Sequence, residues 1–196
     1  MLTAQPQRPL HRLLIMQFAL LVLLISLPSH CLIADTFSDR RAVVGLKLFR
    51  SLMSADLDIS NKTNSQGQLD VYFLYSQSPQ TVESLFSLGG NTFTDIRNIP
   101  VNIQSMALQD LTLIKHKPAS IFIAEPLSED ELEQLIQLGI QQHIIVFSPF
   151  EGDVEQGVLA GLSVEATVKP FINLNTLQKS QLAIKPFYLK VAKSYE

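Results

Sequence analysis

Residues 120–148 read SIFIAEPLSEDELEQLIQLGIQQHIIVFS, and this stretch decides the fold. Ser120-Ile121-Phe122-Ile123-Ala124 is short, apolar and bounded by polar residues, the pattern of a buried strand. Ser128-Glu129-Asp130-Glu131 is a capping box, in which Ser128 and Glu131 satisfy each other's end donors. The helix behind it carries Leu132, Leu135, Ile136 and Leu138 and is expected to stop at Gly139. His143-Ile144-Ile145-Val146-Phe147-Ser148 is a second strand. Strand, helix and strand with short links form a parallel unit.

The same alternation extends in both directions. Upstream, Val71-Tyr72-Phe73-Leu74-Tyr75 is a strand. Ser78-Pro79 opens a helix with Val82, Leu85, Phe86 and Leu88 inward, closed by Gly89-Gly90. Before them, Asp39 caps a helix whose apolar face is Val43, Val44, Leu46, Leu48, Phe49, Leu52 and Met53. A polar loop, Ser60 to Gly67, separates the two. Pro100-Val101-Asn102-Ile103 reads as a short strand, and the segment around Leu108, Leu111, Leu113 and Ile114 is ambiguous up to Lys115-His116-Lys117-Pro118. Downstream, residues 158–164 and 168–174 are two strands around a short turn, hence antiparallel. Asn175-Thr176 caps a short helix, and Pro186 starts a last one with Phe187, Leu189, Val191 and Ala192. The expected fold is a single α/β domain with a mixed, mostly parallel sheet flanked by helices.

The chain opens differently. Arg8, His11 and Arg12 precede the apolar run Leu13 to Leu27, which Pro28-Ser29-His30 breaks. A basic lead, an apolar run of ~7–15 residues and a small-residue exit make a secretory signal. A bilayer-spanning helix needs ~20 apolar residues. Residues 1–34 are therefore expected to be a signal peptide and residues 35–196 the working domain, which places it in the periplasm. An uncleaved N-terminal anchor in the inner membrane ranks second. Acylation at Cys31 ranks third, because His30 is ill suited to precede a lipidated cysteine.

Cys31 is the only cysteine, so residues 35–196 carry neither disulfide nor thiol chemistry. The domain is acidic with no Lys/Arg cluster, which argues against nucleic acid and anionic membranes. Tryptophan is absent, which weighs against carbohydrate stacking. His116 and His143 lack carboxylates at ligand spacing, so no metal site is expected. Asp130, Glu131 and Glu133 sit in a first helical turn, where acids interact favourably with the helix dipole, so a structural role outweighs a catalytic pair. No serine has the flanking glycines of a hydrolase elbow and no glycine loop suits phosphates, so neither catalysis nor a cofactor is expected. Asn61-Lys62-Thr63 matches a glycosylation acceptor, a pattern common by chance. Phe150, Glu151 and Asp153 follow the strand ending at Ser148, at the edge where α/β sheets place ligands. A solvated connection is the plainer reading of 151–157. A partner or ligand contact comes next and calcium last.

The segment from Ala119 onward resembles the YfiR-like family. The resemblance is carried by Ser120-Ile121-Phe122-Ile123, Ile144-Ile145-Val146, Gly157-Val158-Leu159-Ala160-Gly161 and Phe171-Ile172-Asn173-Leu174-Asn175. Leu182-Ala183-Ile184-Lys185-Pro186-Phe187-Tyr188-Leu189-Lys190-Val191-Ala192-Lys193 continues it. Asn173 falls on the family's Asn, and Ala192-Lys193 on its closing pair. The front half matches by order of elements alone. The Trp-Pro pair and the redox cysteines of the family are missing, so thiol control does not carry over. The resemblance implies a periplasmic, non-enzymatic regulator that restrains an inner-membrane signalling protein such as a diguanylate cyclase by binding its periplasmic sensor region, linking it to cyclic-di-GMP and biofilm formation. A homodimer is compatible with this reading. The alternative is a small-solute-binding module of a transport or sensor system. On the last helix, Tyr188 and Tyr195 are expected to share an exposed face and, with Phe150, Glu151 and Asp153, to contact the partner. Asn173 is expected to bond neighbouring backbone.

Overall fold

The computed structural model describes residues 31–89, 93–113 and 116–196, with side chains from Arg40 onward except those of residues 88, 89, 112 and 113. The expected signal peptide lies outside these residues apart from its last four, which are helical. Among the described residues, no helix is long and apolar enough to cross a membrane. Residues Ser38–Glu196 form one compact unit.

The elements in chain order are α1 (Cys31–Ala55), β1 (Leu69–Tyr75), α2 (Pro79–Gly89), β2 (Asp95–Ile96), β3 (Ile99–Ala107), β4 (Ser120–Ile123), α3 (Glu129–Gln142), β5 (Ile145–Ser148), α4 (Asp153–Gln156), β6 (Ala160–Val164), β7 (Val168–Asn173), α5 (Leu174–Ser180), α6 (Pro186–Val191) and β8 (Lys193–Tyr195). The eight strands form one sheet in the order β2-β3-β1-β4-β5-β6-β7-β8. β3, β1, β4, β5 and β6 are mutually parallel, as is β8 to β7, while the β2–β3 and β6–β7 pairs are antiparallel. The mixed, mostly parallel α/β sheet expected from the sequence is what forms.

β1 sits inside the sheet and is buried on both faces, which is why its apolar run does not alternate. On one face Phe73, Phe122 and Phe147 stand side by side in register on β1, β4 and β5. Their rings are 5.2 and 5.6 Å apart, and Phe49 of α1 packs on the row at 5.4 Å from Phe122 and 5.5 Å from Phe147. On the other face Leu132, Leu135 and Ile136 of α3 cover Tyr72, Leu74, Ile121, Ile123 and Val146. Gly139 lets α3 approach β5, because a Cβ there would lie 2.7 Å from Val146 Cγ2.

Several expectations are corrected. α1 begins before Asp39, and β3 extends to Ala107. α3 continues past Gly139 to Gln142, because His143 adopts the left-handed conformation (φ 53°) and closes it. The supposed connection after Ser148 holds the short helix α4. The cap of α5 is Asn173, not Asn175. The last helix stops at Val191, and the chain then adds β8 at the sheet edge.

Candidate functional site

The parallel strands end together at one edge, and their order reverses around β1, which has β3 on one side and β4 on the other. Such a switch point is where open α/β sheets place ligands. Here the chain occupies it with its own carboxylate. Glu125, just beyond β4, accepts hydrogen bonds from the backbone N–H groups of Ser76 and Gln77 and, at 3.3 Å, from the Thr81 hydroxyl. The Ser76 hydroxyl donates to Glu131 at 2.6 Å, and Glu131 also accepts from the Ser128 N–H and hydroxyl at 2.8 Å each. These bonds, that from Ser76 foremost, hold the Glu131 carboxyl below its ordinary range. The capping box read from the sequence is therefore also a tie between α3 and the end of β1.

Next along the same edge, the loop after β5 is built from the inside. The Ser148 hydroxyl donates to Asp153 Oδ2 at 2.5 Å and accepts from the Phe150 N–H at 3.1 Å. Arg41 donates to the Pro149 carbonyl at 2.6 Å and to that of Leu162 at 3.3 Å. Burial pushes the Asp153 carboxyl above its ordinary range. The Ser148 bond opposes this, Glu155 adds to it, and Arg41 opposes it. Phe150 and Glu151 lie in the turn after β5 and Asp153 begins α4 directly behind them, but the three divide. Glu151 is exposed, Phe150 packs partly against the α3 core, and Asp153 is turned inward. Asp153 is thus a support of the loop rather than an outward contact. Close backbone approach at Gly161 completes the corner, since a Cβ there would lie 2.6 Å from the Ser148 carbonyl oxygen.

The end of the chain reverses the expected faces. Tyr188 is 2% exposed, packs in the α1 core and donates its hydroxyl to the Leu48 carbonyl at 3.4 Å. That burial pushes its pKa up, and the residue is unavailable as a surface contact. Phe187 and Val191, four residues apart on α6, are 68% and 52% exposed. Tyr195 is on β8, not on the helix. It pairs with Asn173 and meets the Phe171 ring edge-on at 6.4 Å. The helical period breaks at Ala192, which is extended (ψ 148°), so Tyr195 does not continue the face that Tyr188 sets. The spacing of Ile184 and Tyr188, both buried, held the correct signal.

Asn173 bonds backbone as expected. Its Oδ1 accepts from the Thr176 N–H at 2.9 Å and its amide donates to the Val154 carbonyl at 2.8 Å. The histidines are separate. His143 Nδ1 lies 2.7 Å from the Ser180 carbonyl oxygen, and His116 lies on an exposed loop. Among the described residues, no group of three or more His, Cys, Asp or Glu could hold a metal ion.

No family model matches the chain, and no curated protein matches it in sequence. Among solved structures, it is similar to the crystal structure of an ABC domain in complex with L-Trp from Streptococcus pneumonia. The identity is 14% and the TM-score 0.51, over 79% of this chain and 61% of that one. A second similar structure is a conserved domain protein from Vibrio cholerae O1 biovar El Tor strain N16961, at 15% identity and TM-score 0.46, over 65% of this chain and 54% of that one. The chain thus spans less than two thirds of the length of either structure. The first likeness is one of fold.

Proposed function

We propose that this chain is an exported, non-catalytic regulatory domain that acts through protein contact. It restrains a membrane-bound signalling protein, with a diguanylate cyclase of the YfiR-like pattern as the specific candidate. The observation that carries this reading is the α6 face. Phe187 and Val191 are both more than half exposed, on a helix held down by the buried Tyr188. Large apolar side chains fixed together at the surface favour a protein interface. Tyr195 and Glu151 stay exposed and remain candidates for its rim.

The small-solute alternative draws on the fold shared with a protein crystallised with L-Trp. Against it stands Glu125, whose carboxylate already takes the Ser76 and Gln77 N–H groups at the switch point where an open α/β sheet would receive a ligand.

The test is genetic and quantitative. Deleting the gene should raise cyclic-di-GMP, and the natural chain should restore the lower level. The Phe187→Ser/Val191→Ser chain should keep its thermal midpoint yet fail to restore it. Unchanged cyclic-di-GMP on deletion, together with saturable binding of an amino acid that Glu125→Ala strengthens, would instead favour solute binding.

A further inference from the structure

Two polar segments that stand out in the sequence meet at the start of β1. The loop of residues 61–65 and the segment His116-Lys117-Pro118 line a cleft of about 350 Å³ that also reaches Asp70. A volume of roughly 300–1,000 Å³ is the usual size of a small-molecule site.

The loop is held in shape. Asn64 Oδ1 accepts from the N–H groups of Gln66 at 2.9 Å and Gln68 at 3.0 Å, while its amide donates to Asp70 at 3.0 Å. Asn102 donates to the same Asp70 oxygen at 2.7 Å. Lys62 is anchored by Asp56, whose side chain is fully buried, at 2.5 Å. The other Asp56 oxygen accepts from the Asp58 N–H at 3.0 Å. Both acids near the cleft are therefore already engaged, one by an ammonium and a backbone N–H, the other by two amides.

The cations are not equally engaged. An ammonium has three donors, and Lys62 uses one of them on Asp56. Lys117 makes no ion pair among the described residues. Desolvation lowers its pKa, the Lys62 charge lowers it further, and Asp56 opposes the shift. Lys62 and Lys117 thus line the same polar cleft, with His116 next to Lys117 in the chain.

We propose that this cleft binds a small phosphate-type oxyanion between Lys62 and Lys117, with His116 and the hydroxyls of Thr63 and Ser65 completing the donor set. An anion there would meet the Lys117 ammonium, which has no ion-pair partner among the described residues, and the donors that Lys62 has left beside Asp56. A tetrahedral oxyanion also accepts from several directions at once, which suits point-like ammonium donors better than a planar carboxylate does. Free phosphate and a phosphate monoester share this chemistry.

The probe is inorganic phosphate, titrated into the full chain at constant ionic strength and followed by the amide NMR shifts of residues 61–65, 116 and 117. The shifts should saturate in the millimolar range. Lys117→Gln should weaken binding about tenfold, the contribution of one charge-assisted bond, and Lys117→Arg should recover most of it. Glycerol phosphate should compete for the same shifts if the ligand is a monoester, and should leave them in place if it is free phosphate. Circular dichroism checks the fold of each variant, and His116→Gln repeats the comparison if Lys117→Gln unfolds. A linear response, equal saturation in the folded Lys117→Gln protein, or equal displacement by chloride would overturn the proposal.

Discussion

Asn173→Leu tests how the last third of the chain is tied together. Asn173 is 4% exposed and joins three elements: it ends β7, caps α5 and holds the carbonyl of Val154 in α4. Leucine removes both side-chain bonds. Loss of the cap on the Thr176 N–H costs about 1 kcal/mol. Loss of the second bond stays at the low end of the ~1–3 kcal/mol range for a buried polar group left short of a partner, because the Val154 carbonyl keeps the Gly157 N–H at 3.1 Å. The Asn173 N–H still donates to the Leu159 carbonyl at 3.0 Å, so the strand itself survives. The total is about 2 kcal/mol, or about 4–8 °C in Tm for a domain of this size. Thermal unfolding by circular dichroism measures the shift, and faster exchange of the Thr176 amide localises it. Asn175→Leu is the control. Its side chain is exposed, so its effect should stay within about 0.5 kcal/mol. A Tm for Asn173→Leu within a degree of the natural chain, or a larger loss in the control, would refute the reasoning.

Two further outcomes follow from the same corner of the sheet. Gly161→Ala places a methyl group 2.6 Å from the Ser148 carbonyl oxygen and 2.8 Å from Val154 Cγ2, so denaturant unfolding should show a loss of about 1–3 kcal/mol from overpacking. The Asp153 carboxyl has a folded pKa above its unfolded value of 3.8, so the folded state binds more protons between those two values. Stability attributable to this group should therefore rise as pH falls through the raised folded pKa and level off below pH 3.8. Asp153→Asn should remove that part of the pH dependence, and an identical slope in both proteins would show that burial does not perturb Asp153.

Much of the architecture follows from local pattern. The apolar strands at Val71, Ile121 and Ile145 could satisfy their backbone and bury both faces only inside a parallel sheet. The Ser128–Glu131 box fixes the start of α3 from four adjacent residues. Gly139 and Pro186 mark real features, yet Gly139 serves close packing on Val146 rather than the end of its helix. Asn173 was recognisable as a backbone partner because an amide between Ile172 and Leu174 must be paired when buried.

What escaped the sequence is what depends on partners far along the chain. β2 has two residues and β8 three, too few to show a period, and each exists because a neighbouring strand offers an unpaired edge. The inward turn of Asp153 depends on Ser148 and Arg41, five and 112 positions away, which no local period encodes. Glu125 reads as an ordinary loop acid. Only the reversal of strand order around β1 brings it onto the backbone of Ser76 and Gln77, 49 and 48 positions away. Tyr188 and Phe187 are adjacent aromatic residues of similar propensity. The docking of α6 beside Leu48 of α1 decides which is buried, because a six-residue helix has no stable orientation until a second surface supplies one.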